Sequence, residues 1–345
     1  MLFSIVIPIY NLPEYLIREC IESCVNQDIS PSDYEIICVD DGSTDNCVLV
    51  LNEYKAKYSN IRVITQENMG ISGARNTGID NSQGIYIWFV DGDDFIAENS
   101  LGKLKRIVNE TNVERLHLGR YHFHESLSND ERSAYETGVL RAKYNGATIF
   151  VTSSLYKKSF LKENNFRFRC EMNLAEDLLF NFELDQVKHD ESKVDDIFYF
   201  YRIRENSLSH SSDKTKFAKK FIESHLIGCK VVKSYYDKDI VKKVKTVRYL
   251  HNSLGQIMIK ISQLDHKQAR KYLNEILSNN LFPYKKWSLK GLVFTFYTNV
   301  YSFFVASICK LSTLKILFWM IKLYSKIWSS KTKKRIEKWI KKKII

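Results

Sequence analysis

The feature that most constrains this chain is a repeated pattern in its first hundred or so residues. Four short apolar runs, Phe3–Ile9, Tyr34–Val39, Ile61–Thr65 and Ile85–Val90, each end at a polar turn. Helical spacing fills the gaps. Pro13 suits a first helical turn and is followed by Leu16, Cys20 and Cys24; Asp45–Tyr58 and Ile71–Asn81 also read as helices. Strand and helix alternating with short turns predict an α/β fold, an open, mostly parallel, Rossmann-like sheet with flanking helices. In such sheets ligands sit outside the carboxyl ends of the strands. The polar turns Tyr10-Asn11, Asp40-Asp41, Asn68 and Asp91 to Asp94 all follow apolar runs, so a parallel sheet gathers them at one edge. Carboxylates collected there repel one another unless a cation sits among them.

Charge divides the chain. Residues 216–345 hold 29 Lys and Arg against 6 Asp and Glu, whereas residues 1–215 hold 23 against 34. With 345 residues, 13 Gly and 4 Pro there is room for two domains and no Gly- or Pro-rich linker. We therefore expect a catalytic-type α/β domain at 1–215 and a basic helical region at 216–345. The acidic first half argues against nucleic acid as a partner. The basic half is also the half with long apolar runs, which favours an anionic membrane surface. Gly291–Cys309 has 19 residues without a charge, long enough in principle to cross a bilayer, but Thr295, Thr298, Asn299, Ser302 and Ser307 weaken it as a span. Leu311–Trp328 and Thr332–Ile344 mix Lys with Trp, Ile and Leu, as helices lying in the headgroup region do. The competing reading is a helical subdomain with a solvated lysine face. A mean hydropathy of -0.29 excludes a polytopic membrane protein. Seven cysteines without a C-x-x-C fit a reduced, cytoplasmic chain.

Beyond the regular part, Arg115–Leu118, Thr148–Val151 and Ile197–Tyr201 read as added strands, Leu174–Val187 as a helix, and 216–280 as helical. The histidines, including His117, His122 and His124, match no metal-ligand spacing and are taken as structural or exposed. Asp91-Gly92-Asp93 is the sharpest candidate site. Hard divalent cations take carboxylate oxygens together with substrate phosphates, and Gly92 would let the turn aim both acids at one point. No Gly-rich dinucleotide fingerprint and no P-loop is present. Asp40 or Asp41 can accept from a base or ribose, and Arg75 can pair with phosphate. The plain alternative for Arg75 is a surface ion pair with Glu67 or Asp80. Glu176-Asp177 has two readings as well: acids favoured at a helix N-terminus, or a general base.

These residues together resemble the inverting glycosyltransferases of family 2, which have the GT-A fold. The resemblance rests on Ser4–Asn11, Glu35–Asp45, Asn68–Gly78 and Phe89–Asp94, and on the later Ala175–Phe180 and Tyr199–Ser207. It covers about the first 210 residues. It implies a nucleotide-sugar donor, with UDP-sugars foremost, and a glycan or lipid-linked oligosaccharide acceptor in surface polysaccharide biosynthesis. It implies Mn²⁺ or Mg²⁺ as cofactor, held mainly by Asp93 with Asp91 at the ribose or metal. Pro8, Tyr10, Asp40 or Asp41, Asn68 and Arg75 fall on the donor side. Arg202 and Arg204 would meet the diphosphate, with His210 nearby. Asp177 would be the catalytic base and Glu176 its neighbour. With the basic tail, this places the chain on the cytoplasmic side, peripheral to the cell membrane.

Two other functions remain open at this level. A nucleotidyltransferase also uses an α/β sheet with acidic metal turns, although a Gly-rich basic first turn is missing. A membrane-binding protein whose first half is a scaffold would not need its acidic turns.

Overall fold

The computed structural model describes residues 1–142, 150–172, 174–204, 213–237, 243–261, 263–279 and 281. The chain divides into two compact units, Met1–Ser212 and Asp213–Ile345. The first opens with β1 (Phe3–Ile9), α1 (Glu14–Val25), β2 (Tyr34–Asp40), α2 (Cys47–Lys57), β3 (Ile61–Thr65), α3 (Gly70–Asn81) and β4 (Tyr86–Phe89). It continues with β5 (Phe95–Ile96), α4 (Ser100–Thr111), β6 (Arg115–His124), α5 (Asn129–Glu136), β7 (Ser154–Lys157), α6 (Lys158–Glu163), α7 (Glu176–Leu184) and β8 (Glu191–Ile203).

The eight strands form one sheet in the order β3-β2-β1-β4-β7-β6-β8-β5. β1 to β4 are parallel, as the alternation predicts. Beyond β4 the sheet becomes mixed: β7 runs against both β4 and β6, and β5 against β8, while β6 and β8 are parallel. Two reversals restore direction, so β6 and β8 point the same way as β1 to β4. Their carboxyl ends therefore share the edge that carries the acidic turns. The architecture is α/β, one mixed eight-stranded sheet with helices in its connections.

Central β1 and β2 are buried along their whole length, which is why they read as unbroken apolar runs. Pro8 is tolerated inside β1 for a geometric reason. Val6 accepts from the Val90 N–H, so Val6 and Pro8 both turn their backbone polar groups to the β4 side. The β1–β4 pairing ends at Val6↔Phe89, so the N–H that Pro8 lacks has no strand partner to lose. On α3, a Cβ at Gly78 would lie 2.1 Å from Val6 Cγ1. Glycine there lets α3 lie close against β1, and Arg75, one turn earlier, shares that inward face.

Several boundaries move. The Asp45–Tyr58 helix contracts to α2, and the Leu174–Val187 helix to α7, whose start is set by Ala175 at φ 61. Thr148 lies outside the described residues; Val151–Ser153 is a single 3₁₀ turn and the strand follows as β7.

The second unit contains α8 (Lys214–Asp237), α9 (Lys243–Ile261) and α10 (His266–Ser278). Ile222, Leu226, Cys229, Leu250, Ile257, Tyr272 and Ile276 are buried there. The Tyr272 hydroxyl donates to Glu223 at 2.6 Å and Lys230 pairs with Glu275 at 2.7 Å, tying α8 to α10. Among the described residues no helix is long and apolar enough to cross a membrane. Gly291–Cys309, Leu311–Trp328 and Thr332–Ile344 lie outside the described residues, as does His210.

Candidate active site at the carboxyl edge of the sheet

Arg75 organises the site. Only 1% of it is exposed, so it is not the surface ion pair that its sequence neighbours allowed; Asp80 instead pairs with Arg167 at 2.7 Å. The Arg75 Nη1 donates to Glu176 Oε1 and Asp177 Oδ1, both at 2.8 Å, and Nη2 donates to Asp91 Oδ1 at 2.8 Å. The Phe168 ring centroid lies 5.3 Å from the guanidinium carbon, and that ring stacks on Phe180 at 4.1 Å. Burial works against the guanidinium charge, but Asp177, Asp91 and Glu176 outweigh it and hold the group protonated. One cation thus joins the turn after β4, the first turn of α7 and the inward face of α3.

Three carboxylates around one guanidinium leave negative charge in surplus. Asp177 shows the consequence. Burial pushes its carboxyl up, Arg75 pulls it down, and Glu176 and Asp91 push it up again, to about 8. Its Oδ2 accepts from the Val151 N–H at 3.1 Å, and its side chain keeps 19% exposure to the edge. A carboxyl that changes charge near neutrality and still meets solvent can exchange a proton with a bound hydroxyl.

The Asp91–Asp94 turn forms the next layer. The Asp91 N–H donates to the Tyr199 hydroxyl at 3.1 Å, and that hydroxyl donates to Asp94 Oδ2 at 2.6 Å. Asp94 Oδ1 accepts from the Arg202 N–H at 2.7 Å. Arg204 donates twice to Asp93 Oδ2, at 3.0 Å and 2.5 Å. Burial, then Asp91, raise the Asp93 carboxyl against the pull of Arg204. Gly92 has no positive φ. Its role is space rather than turn geometry, since a Cβ would lie 2.8 Å from Leu12 Cδ1 and 3.2 Å from the Pro8 carbonyl oxygen.

Asp91 and Asp93 fit a hard divalent cation. Each engages a guanidinium through one carboxylate oxygen, Asp91 Oδ1 and Asp93 Oδ2. Their side chains are 25% and 22% exposed, so an ion from solvent can reach them. The oxygen donors suit Mn²⁺ or Mg²⁺.

Other predicted residues take different positions. Arg202 faces inward, with its guanidinium on Glu19 and on the carbonyls of Asp93 and Glu125, and it braces the acidic turn. Asp41 Oδ1 accepts from Gln66 Nε2 at 2.7 Å and from the Met69 N–H at 2.8 Å. Asp40 Oδ1 accepts from the Ser43 N–H at 3.1 Å, while its Oδ2 is buried without a partner. Asn11, at φ 47, accepts from the Thr44 N–H at 2.8 Å and ties the first two turns together. Tyr10 and Asn68 are exposed, whereas Pro8 is buried beneath. Glu19 belongs to the network without any signal in the sequence; Asp94 and Tyr199 lie in the motifs, but their bond to each other is not legible there.

A different group of possible metal ligands, Asp185, His189 and Glu191, has ligand atoms within 4.8 Å of one another. It lies where β8 begins, at the opposite edge of the sheet.

Replacing Arg75 by Met should destabilise the protein by about 3–5 kcal/mol, because three carboxylates lose their cation. The stranded acids would then bind protons more readily folded than unfolded, so the deficit should narrow as pH falls. Urea unfolding of both proteins at about pH 8 and about pH 5 checks this; an equal deficit at both would contradict it.

Residues 4–164 match the profile of the family described as glycosyl transferase family 2. Among relatives, a poly(ribitol-phosphate) beta-glucosyltransferase of Bacillus spizizenii is 38% identical over 59% of this chain, and the match spans 32% of that protein's length. The glycosyltransferase GlyG of Streptococcus pneumoniae is 31% identical, with 64% of this chain and 77% of GlyG covered. The crystal structure of S. aureus TarS 1-349 in complex with UDP-GlcNAc superposes with a TM-score of 0.52 at 19% identity, over 81% of this chain and 88% of that one. Its fold is the fold seen here. On the profile and on GlyG, this chain is a member of glycosyltransferase family 2.

Proposed function

We propose that this chain transfers a sugar from a nucleoside diphosphate sugar, a UDP-sugar, to a hydroxyl of a glycan or lipid-linked acceptor in surface polysaccharide biosynthesis. The observation that carries the proposal is the Arg75 cluster, which puts Asp177, Glu176 and Asp91 on one guanidinium beside the Asp91–Asp94 turn. The named relatives support the class of reaction: one is a poly(ribitol-phosphate) glucosyltransferase, and the TarS structure holds UDP-GlcNAc.

The roles follow from the geometry. Asp41, fixed by Gln66 and the Met69 N–H, offers its remaining carboxylate oxygen to the base of the donor. Asp91 and Asp93 would hold Mn²⁺ or Mg²⁺ through their carboxylate oxygens. Bound there, the ion supplies positive charge to the diphosphate leaving group. Arg204 opposes the rise of the Asp93 carboxyl and adds positive charge at the same place. Asp177 takes the proton of the acceptor hydroxyl as its oxygen attacks the anomeric carbon. The bond to the diphosphate oxygen breaks on the opposite face and its electron pair leaves with the nucleotide, so configuration inverts. Arg75 limits the rise of the Asp177 carboxyl, and Glu176 opposes that limit; together they leave a base that is charged at mildly alkaline pH.

The basic, apolar region 216–345 suits residence at the cytoplasmic face of an anionic membrane. The intact chain should float with phosphatidylglycerol vesicles and not with phosphatidylcholine vesicles, and high salt should release it. Equal flotation with both lipids would contradict this.

Asp177→Asn should abolish transfer with UDP affinity little changed, whereas Asp93→Ala should remove the divalent dependence of UDP-sugar binding. With the base depleted below its pKa, kcat/KM of the wild type should climb with pH and level off above about 8. Transfer by Asp177→Asn at the wild-type rate would sink the assignment.

A further inference from the structure

His189 lies in the turn that joins α7 to β8, at the edge opposite the acidic turns. Its Nδ1 is 2.9 Å from the Val187 carbonyl oxygen. A carbonyl only accepts, so Nδ1 carries the hydrogen and the neutral ring has its lone pair on Nε2. That Nε2 is buried and makes no hydrogen bond, and the side chain is only 5% exposed. It faces Glu191 Oε2 at 3.5 Å. A lone pair and a carboxylate at that distance repel unless positive charge lies between them.

The surroundings supply the rest of a ligand set. Asp185 closes the group, with all three ligand atoms within 4.8 Å of one another. A tetrahedral ion with bonds of about 2.1 Å needs ligand atoms about 3.4 Å apart, which side-chain rotation can reach. His117 Nε2 lies 3.1 Å from the same Glu191 oxygen, and its Nδ1 lies 3.3 Å from the Ser154 hydroxyl. It orients Glu191 from outside the group, and Val187 orients His189 in the same manner, the arrangement that fixes ligands around a metal. Arg115 Nη1 lies 3.4 Å from Asp185 Oδ1 and fixes that carboxylate from the protein side. Glu191 is 45% exposed and gives access from solvent.

We propose that Asp185, His189 and Glu191 bind a borderline divalent cation of the Zn²⁺ class, separately from the donor site. One imidazole and two carboxylates favour such an ion over Mg²⁺ or Ca²⁺. Ten residues of β8 lie between Glu191 and Arg202, on the order of 35 Å of strand, so the two sites are independent. The ion ties the far end of α7, whose first turn carries Glu176 and Asp177, to the start of β8. A proton on Nε2 is the other way to relieve the contact, and the experiment separates the two.

The intact chain, stripped with chelator, is titrated with ZnCl₂ alone, and its thermal midpoint and bound metal are measured. Wild type and Asp93→Ala should each take up the ion and gain stability. His189→Gln and Glu191→Gln should bind at least about tenfold more weakly and gain none. Zinc absorption spectra of the wild type should show an imidazole nitrogen in the first coordination sphere, which tests the site without any variant. An all-oxygen sphere, unchanged affinity in both glutamine variants, or no uptake by the wild type would overturn the proposal; the last would assign the charge to a proton.

Discussion

Everything at the acidic edge depends on one buried guanidinium. Burying a charge is costly unless it is paired and hydrogen-bonded, and Arg75 meets that condition through three carboxylates drawn from two distant parts of the chain. The pairing is lopsided. Burial first, and then the charge of Glu176 and Asp91 that Arg75 does not offset, raise the carboxyl of Asp177. The same contacts hold the end of β4, the face of α3 and the start of α7 together, so the electrostatics and the local architecture cannot be separated. Gly78 makes this possible by letting α3 approach Val6, which brings Arg75 to the edge.

A second layer supports the first. Arg202, Tyr199 and Asp94 fix the backbone of the acidic turn from below, while Arg204 engages Asp93 from the end of β8. The mixed half of the sheet matters here. Reversing direction twice returns β8 to the orientation of β1, so residues more than a hundred positions after the acidic turn reach the same edge. The result is a rim of alternating acids and guanidiniums, suited to a ligand that brings both a diphosphate and a cation.

Much of this edge was legible in the sequence because parallel α/β strands leave a clear signature. Each buried strand is a short apolar run, and each ends where a polar turn must face solvent. The family motifs then marked Arg75, Asp91, Asp93 and Asp177 individually. What the sequence did not reveal was partnership. Arg75 had nearby acids at Glu67 and Asp80, yet its partners are 16, 101 and 102 residues away. Arg202, marked among the donor residues, also holds the turn, which its position did not reveal. Tyr199 lay within a motif, but its bond to Asp94 did not show. The group at Asp185, His189 and Glu191 escaped notice because its supporting His117 comes from another strand, and pairing of β6 with β8 is a long-range event that no local spacing encodes.

The central claim is that the Arg75 cluster and the Asp91–Asp94 turn form one centre for sugar transfer. A crystal structure of the chain with Mn²⁺ and an unreactive UDP-sugar tests it most directly, using the anomalous signal of manganese to locate the ion. The account predicts manganese on Asp91 and Asp93, and the Asp177 carboxylate across the anomeric carbon from the diphosphate. A donor bound away from this edge, or a sugar with Asp177 on the same side as its leaving group, would contradict it.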